Sequence, residues 1–268
     1  MNANIFEDYL NRKIDLKFWD VNLWTGPEIE PSFISSENVQ QTIDLAAKHY
    51  LCGGIISHSA GFQYDDEYGN ELLLEQINLN PFWAGVTLTP ERFFDVNEGK
   101  QYLAKLIARG ARLARVFPKS GNFDFKSWNL QNMIKVLCDF RLPLMIWQTQ
   151  VSWDEINLIC SAHPDLKLIL EGNPQKIMYH NRRFYSLMAE HKNLFIETHN
   201  VIGFLAVEDM VKRLGADRLI FGSYMPYWDP DATLMAITHG RISDSEKTLI
   251  AHKNLEKLIN SVVVEYDR

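Results

Sequence analysis

The sequence has few cysteines and no concentration of basic residues. It contains only 3 cysteines in 268 residues, and Cys52, Cys138 and Cys160 form neither a CxxC pair nor a closely spaced framework. This spacing argues against a disulfide scaffold and is typical of a reducing compartment, so we expect a cytoplasmic protein. The net charge of -7 and the lack of a basic patch argue against a nucleic-acid partner.

Long apolar runs are also absent. No segment approaches the ~20 apolar residues that a transmembrane helix needs. The first residues lack the basic region and apolar run of a signal peptide. We therefore expect no membrane partner. A glycine-rich GxGxxG loop after the first strand would have favoured an open dinucleotide-binding sheet, and none is present.

What the sequence does contain is a regular alternation of strand and helix patterns, with no hairpin signal. Such an alternation implies a parallel sheet, and eight repeats in about 250 residues favour closure into a barrel. We predict an α/β protein with a single (β/α)8 TIM barrel over residues 16–268 and an N-terminal arm over residues 1–15. The predicted strands are Leu16–Val21, Cys52–Ser57, Phe82–Leu88, Arg112–Phe117, Leu142–Ile146, Leu166–Leu170, Leu194–Thr198 and Arg218–Phe221.

The most informative stretch is Gly215–Pro226, which reads GADRLIFGSYMP. Gly215 can end a helix, an apolar strand follows, and Tyr224 comes at the carboxyl end of that strand, where TIM barrels build their sites. The stretch resembles G-A-D-R-I-L-F-G-[ST]-D-x-P, the last strand of the amidohydrolase-related family of metal-dependent TIM-barrel hydrolases. In that family the Asp is a metal ligand and general base, and Tyr224 stands in its place.

Other segments are similar to the same family in the same order, from about Phe18 to Leu258. Residues 19–26, WDVNLWTG, resemble the first-strand pattern I-D-x-H-x-H-x-G, and residues 163–172, HPDLKLILEG, resemble P-D-L-K-x-V-x-E-H-x-G. Residues 110–118, GARLARVFP, are similar to the fourth-strand motif, and residues 254–258, NLEKL, to the terminal N-A-x-x-L.

The resemblance implies a metal site, but the positions of its ligands are all substituted. Asn22 and Trp24 replace the two histidines of the first strand, and Tyr224 replaces the Asp of the eighth. The family's fifth strand ends in His, where this chain has Trp147-Gln148. In the sixth strand the family has His after the Glu, whereas Gly172 follows Glu171 here. Transition metals prefer imidazole, thiolate or carboxylate ligands, so we expect no family-type metal and no cofactor.

Other polar residues at predicted strand ends are candidates for a rebuilt site. His58 and His199 follow the second and seventh strands and could act as acid or base, although a lone histidine is more often a hydrogen-bonded pocket residue. If Arg115 points inward, it needs a carboxylate such as Glu171 or an anionic ligand. Asp229 could contact a substrate or could simply cap a helix.

Two hypotheses remain open from the sequence. In the first, the protein is a hydrolase-like enzyme that works on a small molecule without the usual metal. His58, His199 and Tyr224 would then be catalytic, and Asn22, Trp24, Arg115, Trp147, Gln148, Glu171 and Asp229 would bind substrate. In the second, it is a non-catalytic relative that binds a small ligand or a protein partner. The aromatic residues at the strand ends could stack on a ligand, fill the vacated site or support a homodimer.

Overall fold

The chain forms a barrel of parallel strands in which each strand pairs with the next one along the sequence. The computed structural model describes residues 4–27, 29, 35–77, 80–172, 183–201 and 203–265. The 8 strands follow the order β1 to β8 without a crossover. They are β1 Trp19–Thr25, β2 Gly53–His58, β3 Phe82–Thr87, β4 Ala111–Arg115, β5 Leu144–Trp147, β6 Leu168–Glu171, β7 Leu194–Glu197 and β8 Leu219–Ile220. The predicted (β/α)8 barrel is confirmed.

The first strand, β1, is hydrogen-bonded through its backbone to the residues that follow the last strand, β8, and these bonds close the barrel. The N–H of Val21 donates to the carbonyl of Phe221 at 3.1 Å, and the N–H of Trp24 donates to the carbonyl of Met225 at 2.9 Å. Strand β8 is short, so the loop that follows it supplies part of this closure. The side chains after β8 are thereby fixed against those of β1, where the site lies.

Helices connect the strands and surround the barrel. The α-helices are Ile5–Leu16, Val39–Lys48, Ala60–Gln63, Asp66–Leu74, Val96–Ala108, Ser127–Asp139, Trp153–Ala162, Arg183–Glu190, Ala206–Leu214, Asp231–Thr238, Asp244–Thr248 and Asn254–Ser261. Short 3-10 turns lie at Pro90–Phe93 and Gln148–Gln150, and Leu249–Lys253 forms a π-helical turn. None of the helices in these described ranges has the length and apolar character that crossing a bilayer requires.

Several boundaries differ from those predicted from the sequence. The arm contains the helix Ile5–Leu16, which ends where Lys17 adopts a left-handed conformation with φ of 52°, so β1 begins later than predicted. The spacing of Ser243 and Glu246 in the sequence predicts a capping box at the start of the last helix, and the structure confirms it, but a π-helical turn interrupts that helix. The sequence pattern also predicts a helix over residues 177–190, which begins outside the described residues and whose described part is Arg183–Glu190.

The interior of the barrel is apolar at the amino ends of the strands and polar at their carboxyl ends. The apolar layer contains Val21, Ile55, Leu113, Met145, Ile169, Phe195 and Ile220. The helix Asn254–Ser261 covers this layer with Leu255, Leu258 and Ile259. One end of the barrel interior is therefore sealed by packed hydrocarbon, and its polar side chains lie at the other end.

Candidate functional site

An ion pair between Arg115 and Glu171 crosses the carboxyl end of the barrel. Arg115 ends β4 and Glu171 ends β6, and Nη1 of Arg115 donates to Oε2 of Glu171 at 2.8 Å. The guanidinium also donates to Oδ1 of Asn22 at 2.9 Å and to Oγ of Ser57 at 2.8 Å. Asn22 in turn donates from Nδ2 to Oε1 of Glu171 at 2.8 Å. Both side chains of the ion pair are fully enclosed, so protein groups replace the water that each charge has lost.

The ring of Trp24 completes this network. Its Nε1 donates to Oδ1 of Asn22 at 2.9 Å. Its face lies 4.6 Å from Cζ of Arg115, which is the geometry of a cation–π contact. Asn22 and Trp24 occupy the two places that the resemblance assigns to metal-binding histidines. In this chain they stabilise the guanidinium instead.

A second pair, Glu197 and His199, lies at the end of β7. Nδ1 of His199 is hydrogen-bonded to Oε2 of Glu197, and the backbone N–H of His199 donates to Oε1 of Glu197 at 2.7 Å. On the other side of the imidazole ring, Nδ2 of Asn200 lies 2.9 Å from Nε2 and also donates to the carbonyl of Gly172 at 3.0 Å. A carboxylate that orients an imidazole is the arrangement of an acid–base dyad.

The charges around His199 shift its pKa and that of Glu171. Burial lowers the pKa of His199, but the charge and hydrogen bond of Glu197, with the charges of Glu171 and Asp20, raise it by more, so the net shift is upward. Burial also raises the pKa of Glu171, and Arg115 offsets this only in part.

Asp20 is a third buried carboxyl in this region. Its Oδ1 accepts from the N–H of Asn22 at 2.7 Å and from the N–H of Ser223 at 3.1 Å, whereas Oδ2 has no partner in the described part of the chain. Burial raises the pKa of Asp20 to about 7, and the charge of Glu197 adds to the effect. Burial therefore favours the protonated form of this carboxyl in the folded state.

An aromatic layer covers these charges on the side of the barrel mouth. It consists of Trp24, Phe117, Trp147 and Tyr224, with Phe62, Tyr227 and Trp228 packed against it. The ring centroids of Trp24 and Trp147 are 5.9 Å apart, and each lies 6.4 Å from the ring of Tyr224. Tyr224 stacks on His199 at 5.4 Å. Trp24 and Tyr224 are completely buried, so these rings fill the space above the two ion pairs.

Tyr224 occupies its place with an unusual backbone. Its φ is 60°, in the left-handed region, where Asp and Asn occur more readily than a bulky aromatic residue. The carbonyl of Tyr224 accepts from the N–H groups of Tyr227 at 3.1 Å and Trp228 at 3.3 Å, which holds the turn in place. The backbone conformation here suits the Asp of the motif, while the side chain is an aromatic ring that belongs to the covering layer.

The other predicted site residues lie away from the two ion pairs or at their rim. Nδ1 of His58 accepts from the N–H of Ala60 at 3.2 Å, and burial lowers the pKa of His58. Glu171 and His199 have ligand atoms within 4.8 Å of each other, and no hydrogen bond within the described ranges connects His58 with either residue. Asp229 is exposed, and its Oδ1 accepts from the N–H of Asp231 at 2.8 Å at the start of a helix.

Trp147 and Gln148, at the end of β5, bring unused polar atoms to the mouth. Nε1 of Trp147 and Oε1 of Gln148 are buried and have no partner among the residues that the structure describes. Oδ1 of Asn200 is in the same situation. Buried polar atoms are normally hydrogen-bonded, so these three atoms indicate a place for water or a ligand.

Glu171, Glu197 and His199 must be tested as a metal site, because their ligand atoms lie within 4.8 Å of one another. Carboxylates and imidazole suit zinc or manganese in chemical type. However, both oxygens of Glu171 are bonded to Arg115 and Asn22, and Glu197 and His199 are bonded to each other. A guanidinium 2.8 Å from Glu171 would also repel a dication. The residues as arranged do not fit the family's metal.

A family model and several solved structures match this chain. The model of the family described as Amidohydrolase matches residues 53–260, and the chain belongs to this family. The structure resembles 5-carboxyvanillate decarboxylase from Sphingomonas paucimobilis, with a TM-score of 0.70, 12% identity, and coverage of 92% of this chain and 100% of that one. No curated protein matches the sequence.

Two further solved structures share the fold. They are 2,6-dihydroxybenzoate decarboxylase from Rhizobium, with a TM-score of 0.65, 16% identity, and coverage of 90% of this chain and 97% of that one, and 4-oxalomesaconate hydratase from Rhodopseudomonas palustris, with a TM-score of 0.68, 14% identity, and coverage of 91% and 96%. At these identities the likeness concerns the barrel itself.

Sequence reasoning did not single out three members of the buried cluster, namely Asp20, Glu197 and Asn200. A signal for two of them was present. Glu197 precedes His199 by two positions and Asp20 precedes Asn22 by two, and side chains two apart on a strand point to the same side.

Proposed function

We propose that this member of the amidohydrolase family binds a small planar molecule at the mouth of its barrel and does so without the family's metal. The observation that carries this proposal is the set of buried, unpartnered atoms at the mouth, Nε1 of Trp147 and Oε1 of Gln148. They offer one donor and one acceptor beside an aromatic layer. A planar ring that carries hydroxyl or carbonyl groups would pair with such atoms and stack on the aromatic layer.

The charged residues support binding rather than metal-assisted chemistry. The hydrogen bonds of Arg115 to Glu171, Asn22 and Ser57 hold its guanidinium in the network, which argues against the predicted role in holding a substrate carboxylate. The network would instead fix the rings above it, because Trp24 is both hydrogen-bonded to Asn22 and stacked on Arg115.

The relatives suggest the first compounds for a binding test. Their names include 2,6-dihydroxybenzoate and 5-carboxyvanillate, which are planar rings with hydroxyl and carboxylate groups. We would titrate both compounds into the protein by isothermal titration calorimetry. Trp147→Phe keeps the apolar ring but removes the N–H, and loss of one hydrogen bond of about 1 kcal/mol should weaken binding roughly fivefold.

Trp153→Phe is the matched control, because Trp153 is also mostly buried but lies on an outer helix. It should leave the affinity unchanged. If neither compound nor a wider panel of hydroxylated rings binds, or if both variants bind as well as the natural protein, the proposed site is wrong.

A second candidate function, metal-free catalysis, is favoured by the Glu197–His199 dyad alone. Incubation of bound compounds followed by chromatography separates the two functions. A binding protein returns the compound unchanged. Turnover that is lost in His199→Gln, with affinity retained, would establish an enzyme and identify His199 as its acid or base.

A further inference from the structure

A cavity lined mainly by cationic side chains lies at the amino ends of the strands, remote from the barrel mouth. It has a volume of about 650 Å³ and opens between the starts of β6, β7 and β8 and the helix Asn254–Ser261. Its cationic lining residues are Lys167, Lys192, Arg218, Lys253 and Lys257, against the carboxylates Asp217 and Glu256. This excess of positive charge contrasts with the net charge of -7 of the whole chain.

Most of these cations have no carboxylate partner. Lys253 pairs with Glu256 at 2.6 Å, but Lys167, Lys192 and Lys257 make no ion pair with any described residue. With five cationic side chains and two carboxylates in its lining, the cavity has an excess of positive charge.

Arg218 also favours an anion in this cavity, because it is a buried cation without a counter-ion among the described residues. Its side chain is only 4% exposed and lines the cavity. Nη1 donates to the carbonyls of Met188 at 2.6 Å and His191 at 2.9 Å, which solvate the guanidinium without neutralising it. No carboxylate within the described ranges forms an ion pair with Arg218. A buried charge is costly unless it is paired, and an anion in the cavity would supply the missing charge.

The cavity also has an apolar wall. Phe195, Leu249 and Leu258 line it, and Phe195 and Leu258 belong to the interior layer of the barrel. A free inorganic anion would use the cations alone, whereas an anion attached to an apolar or planar group would use both surfaces.

We propose that this cavity is a binding site for a small organic anion, an oxyanion such as a phosphate or carboxylate joined to an apolar group. The site is separate from the barrel mouth, and its ligand would not take part in chemistry there. Binding would couple β6–β8 to the helix that closes the barrel, because the lining residues come from both.

The test uses 4-nitrophenyl phosphate as the probe and inorganic phosphate as its comparison, both titrated into the full chain by calorimetry. The two carry the same anionic group, so the apolar wall predicts tighter binding of the aryl phosphate. Lys192→Gln and Lys257→Gln should each weaken binding about fivefold, as expected for the loss of one charge about 4 Å from the anion in water-like surroundings. Both lysines are exposed, so the fold should be retained.

Lys135→Gln is the matched control, because Lys135 is an exposed lysine on the helix Ser127–Asp139, outside the cavity. It should leave the affinity unchanged. Absence of saturable binding of 4-nitrophenyl phosphate would overturn the proposal. So would equal losses in Lys257→Gln and Lys135→Gln, since this would reveal a response to net charge alone.

Discussion

Replacement of Asp20 by Asn should stabilise the protein above neutral pH and not below about pH 4. Asp20 is fully buried, and the pKa of its carboxyl rises from an ordinary 3.8 to about 7 on folding. Between these values the folded state holds a proton that the unfolded chain releases. The unfolded state then binds fewer protons, so the free energy of unfolding falls as the pH rises through this window.

The size of the effect follows from the shift. A change from 3.8 to about 7, at about 1.4 kcal/mol per pKa unit, corresponds to a loss of about 4 kcal/mol on passing from acid to alkaline pH. Asn keeps an oxygen for the N–H groups of Asn22 and Ser223 but carries no charge. Because those hydrogen bonds become weaker, we expect a net gain of about 2 kcal/mol above neutral pH.

The assay is urea unfolding of the natural protein and of Asp20→Asn across the pH range, with the difference between them plotted against pH. The difference should change sign between about pH 4 and pH 8. Asp165→Asn, at an exposed carboxyl, serves as the control and should show no such trend. If Asp20→Asn is destabilising to the same extent at every pH, Asp20 is ionised in the folded state and its pKa is not raised by burial.

Three further predictions concern packing and ion pairs. A Cβ on Gly222 would overlap the carboxylate of Glu197, so Gly222→Ala should lower the free energy of unfolding, measured with denaturant, by roughly 2–3 kcal/mol. An unchanged unfolding midpoint would show that the two residues do not touch. Arg115→Met should lower the free energy of unfolding by about 3–5 kcal/mol, because it leaves Glu171 buried and unpaired. Adding Glu171→Met should recover part of this loss. If the losses of the two single variants simply add up in the double variant, the residues do not interact directly. Tyr9→Phe removes a 2.8 Å hydrogen bond to Asp231 and should speed amide hydrogen exchange in the helix Ile5–Leu16; unaltered exchange would mean that this bond does not hold the helix.

The barrel could be predicted because its signals are local. Each strand is a short apolar run bounded by turn residues, and Ser243 with Glu246 forms a capping box that is readable from four residues. The helix Ile5–Leu16 could not be assigned in this way. Tyr9 and Lys13 contact Asp231 at 2.8 and 2.9 Å across more than two hundred positions of sequence, and such contacts leave no local pattern.

The site was predictable only in part. The need of an inward Arg115 for a carboxylate follows from electrostatics, and Glu171 provides it at 2.8 Å. Which aromatic side chains meet above the pair depends on the loops that carry Trp147 and Tyr224, and strand periodicity says nothing about loop conformation. For Asp229 the sequence allowed a substrate contact or a helix start, and its Oδ1 accepts from the N–H of Asp231 at the start of a helix.

We propose that a fixed charge network around Arg115 and Glu171 takes the place of the family's metal at the barrel mouth. The most direct test is elemental analysis of protein purified without chelator and then dialysed against zinc and manganese, together with Glu197→Gln and His199→Ala. If the network excludes the metal, all samples should contain substoichiometric metal. One metal ion per chain that is lost in both variants would show that the network does not exclude it and would identify Glu197 and His199 as ligands.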